Sequence, residues 1–146
     1  MPIKVWVQDG SKHSCTVGSF AYGNAFFATV CTRLEDGVWG SRFPVVMNHL
    51  SWYRIEVDWM DQALLELETI KRELSVLPVS DVVWVVDLPE VKPPYDVGGD
   101  SEAVNLAEFF TTRNGKNLID EIINLVTYGQ QIDSRVLKSY VYGLEG

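Results

Sequence analysis

Between Met60 and Leu74 five apolar residues, Met60, Ala63, Leu67, Ile70 and Leu74, step along the chain by three and four and so share one face of an α-helix. No other pattern in this chain restricts the fold as tightly. A stripe of that length has to be covered by a second apolar layer, which the rest of the chain must supply. Glu66, Glu68, Lys71 and Arg72 fall on the remaining faces and are expected in solvent. Asp58 is a good N-cap, Asp61 suits the positive helix start, and Pro78 lies just beyond the end.

Candidates for the covering layer lie on both sides of this helix. Leu118, Ile119, Ile122, Leu125 and Val126 form a second amphipathic face, with Asp120, Glu121 and Asn124 opposite. Ile3, Val5 and Val7 alternate with Lys4, Trp6 and Gln8, the period of a half-buried strand. Phe26, Phe27, Val30 and Leu34 predict a helix near 20–35 that stops at Gly37. Trp39–Phe43 reads as a loop or short extended piece, and Pro44 as the opening of a short helix through Leu50. The β-branched run Val82–Val86 does not alternate, which predicts a strand covered on both faces. Glu108–Thr112 reads as a further strand with Asn114-Gly115 as its turn, and Asp133 as the cap of a last short helix carrying Val136, Leu137, Tyr140 and Val141. The mixture predicts an α+β fold, a small mixed or antiparallel sheet packed against about four helices. At 146 residues the chain is expected to form a single domain, 1–146, burying roughly two-thirds of its unfolded surface.

Charge is distributed unevenly. The net charge is −8, and residues 81–108 hold seven acids against one base, a local −6. Such a segment repels nucleic acid and attracts basic proteins, chiefly by speeding encounter. No direct nucleic-acid partner is therefore expected. The longest apolar run is five residues, far below the roughly 20 that span a bilayer. No membrane partner is expected, and the chain is read as cytoplasmic. Cys15 and Cys31 match no zinc or thioredoxin spacing and are expected to be reduced thiols.

Signatures of chemistry are missing from the sequence: it contains no dinucleotide fingerprint, phosphate-binding loop, H-E-x-x-H or G-x-S-x-G. His13 and Cys15 lie two apart, on one side of a strand, but nothing nearby supplies an orienting third group. Asp96, Asp100 and Glu102 surround two glycines, yet their spacing departs from a calcium-binding loop and a solvated acidic loop is the plainer reading. Neither metal, cofactor nor catalytic residue is expected, and the chain is read as no enzyme. Arg42, between Trp39 and Phe43, is expected to be a structural anchor.

Three blocks, "WGSRFPVVMNHL", "VVWVVDLPEVKPPY" and "EFFTTRNGKNLIDEI", stand in an order and spacing that resemble the bacterial polymorphic-toxin immunity proteins of the immunity protein 70 family. The resemblance implies a non-enzymatic inhibitor that binds a cognate toxin C-terminal domain and blocks its active site or substrate path. It also marks Trp39, Gly40, Arg42, Pro44, Trp84, Pro93 and Pro94 as family-motif residues with structural roles. Many toxins met by such proteins are nucleases or other nucleic-acid-targeting enzymes, and these are usually basic.

The segment Asp87–Glu102 fits that expectation. It is long for a connection, and long connections are commonly functional or disordered; the plain reading is a loop that merely crosses the end of the sheet. Pro93-Pro94 limits the entropy lost on docking, and its carboxylates suit Lys and Arg that would otherwise hold phosphate. Asp87, Glu90, Tyr95, Asp96, Asp100 and Glu102 are therefore expected in a toxin-binding surface, with Tyr95 as an aromatic anchor. The other reading is an intracellular interaction domain or a homodimeric scaffold joined through an exposed strand edge.

Overall fold

The computed structural model describes residues 2–8, 14–51, 54–86, 90, 102–132 and 135–140. Among the described residues four strands, β1 (Pro2–Gln8), β2 (Ser14–Ser19), β3 (Arg54–Ile55) and β4 (Arg135–Tyr140), form one antiparallel sheet in the order β2-β1-β4-β3. The helices are α1 (Phe20–Thr29), α2 (Met60–Leu74), a single turn α3 (Leu106–Phe109) and α4 (Leu118–Gln131). The class is α+β, as the mixed periodicities predict.

Each long element forms where its pattern places it. Val5 and Val7 are buried on the inner face of β1, and Val7 lies opposite Val136 of β4. The five stripe residues of α2 have no exposed surface. α4 touches β1, β2 and β4 as well as α2, so it carries the apolar layer that the α2 stripe requires. Burying each of these large side chains contributes about 1.5–3 kcal/mol relative to leaving it exposed. α1 continues as a π-helical turn, Val30–Leu34, before Asp36 (φ 52°) and Gly37 (φ 82°) take left-handed backbone and end it. Pro44 and Val45 open a helical turn that runs into a second π turn, Val46–Leu50.

Four local expectations are corrected. Val82–Val86 is not a strand; a 3-10 turn, Val79–Asp81, leads into irregular chain, and the backbone of Val83 is satisfied by a side chain instead of a ladder. Glu108–Thr112 is not a strand either. Asn105 accepts the Glu108 N–H and caps α3, which buries Leu106, Ala107 and Phe109, and only Thr111 bridges to Asn117 across the Asn114-Gly115 turn. Residues 135–140 pair with β1 and β3 as β4 where a helix was expected, because a strand there lets Val136 sit between Val7 and Ile55. Asp58 makes no cap; it lies in a 3-10 turn, Val57–Trp59, ahead of α2. Asp133 lies outside the described residues.

Candidate functional site

The two ends of the acidic stretch meet. The Leu106 N–H donates to the Leu77 C=O at 3.0 Å, a neck that joins the start and the end of the chain excursion 78–105. Its outgoing limb is held twice more. The buried Thr29 Oγ1 accepts the Val83 N–H at 2.9 Å and donates to the Val83 C=O at 3.3 Å. Arg33 Nε donates to the Asp81 C=O at 2.9 Å. On the returning limb Asn117 Nδ2 donates to the Ala107 C=O at 2.9 Å, just inside α3. The two ends of the acidic stretch are thus fixed by polar contacts, of which the Thr29–Val83 pair is buried, and Glu90 and Glu102 between them are exposed.

Trp84 is half-buried and packs on the core at the root of the excursion. Glu90 and Glu102 are exposed, as are Val85 and Val104. Asp87, Pro93, Pro94, Tyr95, Asp96 and Asp100 lie outside the described residues.

The Trp39–Pro44 motif is built around a carboxylate that the pattern reading did not single out. Glu35, 2% exposed, accepts the Gly40 N–H through Oε1 and the Arg42 and Phe43 N–H groups through Oε2, each at 3.0 Å. Three backbone donors around one anion hold the loop as a nest. Gly40 takes φ 77°, and a Cβ there would meet Asn48 Nδ2 at 2.6 Å. Trp39 donates its indole N–H to the Met47 C=O at 2.8 Å. Arg42 grips Glu73 of α2 in a two-pronged pair at 2.7 and 2.6 Å and also donates to the Leu34 C=O at 2.9 Å. Hydrogen bonding and charge from Arg42 hold the Glu73 carboxyl below its ordinary range. Pro44 is exposed at the start of its helical turn.

A second internal carboxylate corrects the reading of α2. Glu66 is not in solvent but 3% exposed, and its Oε1 accepts the Val46 N–H at 2.8 Å, its Oε2 the Val45 N–H at 3.3 Å. Glu35 and Glu66 therefore satisfy the backbone on both sides of Pro44, where proline leaves no donor of its own. The available signal was positional: Glu66 sits one residue before Leu67, on the edge of the apolar stripe.

The Cys–His possibility has a poor setting. Cys15 is buried on β2, and its thiol is pushed up to about 12, first by burial and then by the charge of Glu121, so it stays protonated at neutral pH. It lines a polar cleft of about 250 Å³ with Ser14, Thr16, Arg113, Asn114 and Glu121. His13 lies outside the described residues, and His49 packs against Trp59 with ring centroids 4.1 Å apart and the rings tilted by 56°. Among the described residues no three His, Cys, Asp or Glu side chains are grouped to hold a metal ion. Among them, too, no helix is long and apolar enough to cross a membrane.

A family model described as Immunity protein 70 matches residues 4–137, nearly the whole chain. No curated protein and no solved structure matches it.

Proposed function

The chain belongs to the immunity protein 70 family and is an immunity protein directed against a toxin; on that premise we propose that it neutralises the C-terminal domain of its cognate toxin by covering the active site with the acidic excursion. The observation that carries this reading is a local charge of −6 over residues 81–108, on a segment whose two limbs are joined at Leu77 and Leu106. Carboxylates concentrated in one segment suit a cationic surface, and a toxin that handles nucleic acid needs such a surface to hold phosphate. The target is accordingly a nuclease or another nucleic-acid-targeting enzyme, met in the cytoplasm.

Inhibition here requires no reaction in the immunity protein itself. Asp87, Glu90, Asp96, Asp100 and Glu102 compete with phosphate for Lys and Arg, and Tyr95 supplies an aromatic contact among them. Attraction between the two charged surfaces speeds encounter and weakens with salt, the Debye length being about 8 Å at physiological ionic strength. Trp39, Gly40, Arg42, Pro44 and Trp84 act inside the fold and take no part in the contact; Pro93 and Pro94 stiffen the excursion.

Co-expression with the toxin domain encoded immediately upstream tests the proposal. Growth and co-purification of the two proteins are the expected results. A chain that leaves that toxin fully lethal and does not co-purify with it would overturn the reading. Asp96→Asn, Asp100→Asn and Glu102→Gln together are expected to slow association at low salt more than at high salt.

A further inference from the structure

Val76 and Val104 are the most exposed large hydrophobic residues described, at 79% and 76%. They flank the same hydrogen bond. Val76 precedes Leu77, whose C=O receives the Leu106 N–H at 3.0 Å, and Val104 lies two residues before Leu106. Chain geometry and this hydrogen bond keep their Cα atoms within about 18 Å of each other. One interface burying about 800 Å² per partner is about 30 Å across, so a single docked surface reaches both.

We propose that Val76 and Val104, at the neck of the excursion, form the apolar centre of the toxin contact, and that the surrounding acids mainly govern the rate of arrival. This rests on the immunity reading above. Tight interfaces concentrate their energy in a desolvated apolar centre ringed by polar groups, whereas exposed charges act on the on-rate. The exposed Glu102 and Glu108 lie on either side of Val104 in the chain, and the local −6 of residues 81–108 begins five residues after Val76. The backbone of the neck is also held in advance. Val76 and Leu77 donate to the Glu73 and Leu74 carbonyls at 3.4 and 3.2 Å, and Asn105 caps α3 one residue after Val104. Little conformational freedom remains there to be lost on docking.

The occupant is a cationic protein surface bearing an apolar patch. A second copy of this chain fits poorly, since each copy carries the same net charge of −8 and the two repel. Leu65, exposed in the middle of α2, lies outside the 81–108 stretch and away from the Leu77–Leu106 hydrogen bond in sequence.

The test compares wild type, Val76→Ser with Val104→Ser, and the triple amide variant Asp96→Asn, Asp100→Asn and Glu102→Gln. On- and off-rates are measured against the purified toxin domain encoded upstream, at low and high salt. Because both valines are solvent-exposed, their replacement leaves the thermal midpoint unchanged. The serine pair is expected to raise the off-rate about tenfold or more while the on-rate stays within about twofold. The amide triple is expected to lower the on-rate and flatten its salt dependence. A serine pair that dissociates like wild type overturns the inference and leaves the immunity reading standing. A wild type that never binds the toxin overturns both. Concentration-dependent self-association of wild type that the serine pair abolishes would assign the patch to a second copy, and would also overturn the inference.

Discussion

The Thr29 hydroxyl on α1 binds both backbone groups of Val83, accepting its N–H at 2.9 Å and donating to its C=O at 3.3 Å, fifty-four residues away in sequence. Both residues are fully buried. One side chain thus does for Val83 what a neighbouring strand would otherwise do, and it holds the outgoing limb of the acidic excursion to the core. Thr29→Val keeps the shape and removes both contacts. It is expected to cost about 1–3 kcal/mol for each buried backbone group left without a partner. Urea unfolding reads the loss, and faster hydrogen exchange at the Val83 amide locates it. Thr29→Ser keeps the hydroxyl and should retain most of the stability.

Glycine at position 40 answers two demands at once, a φ of 77° and the approach of the Asn48 amide to 2.6 Å from where a Cβ would stand. Gly115 has φ 83° with open space around it. Gly115→Ala is therefore expected to cost about 1–2 kcal/mol from left-handed backbone alone. Gly40→Ala should cost more, because Asn48 must also move. Thermal midpoints of the two variants decide the order, and equal shifts would refute it.

Arg42 depresses the Glu73 carboxyl from its ordinary value of 4.5. A group with a lowered native pKa contributes stability that is fully present above the unfolded value and is lost as pH falls through the native one. The Arg42–Glu73 contribution is accordingly expected at neutral pH and should fade below about pH 4.5 toward the native pKa. Both partners are partly exposed, which limits the pair to about 1 kcal/mol or less. Arg42→Gln should cost more stability at pH 7 than at pH 3, where only its contact with the Leu34 C=O is still lost, measured by urea titration at both.

Cys15, with its thiol pushed up to about 12, should resist alkylation at pH 8. Cys31 is buried as well. Native protein is expected to react with iodoacetamide only slowly, and both thiols to react in denaturant. A rapidly modified Cys15 in the native state would contradict its burial on β2.

Much of this fold was written in local spacing. The α2 stripe, the α4 stripe, the alternation of β1 and the glycine at the Asn114-Gly115 turn each act within a few residues, and each formed where its pattern lay. The family-motif blocks were equally legible, and the match over residues 4–137 covers them. For the candidate contact surface, the concentration of acid was plain in the sequence, but its closure at Leu77 and Leu106 was not.

Long-range choices were settled by tertiary structure. Val82–Val86 has the composition of a buried strand, yet Thr29 meets the Val83 backbone before any strand does. Residues 135–140 have helical spacing, yet Val136 is buried between Val7 and Ile55. Glu66 read as a surface acid and Glu35 carried no signal, yet both accept backbone N–H groups around Pro44. Periodicity records which side of an element is apolar, a property of neighbours in the chain. Which buried N–H and C=O groups find which partners depends on segments that meet only after the chain has folded.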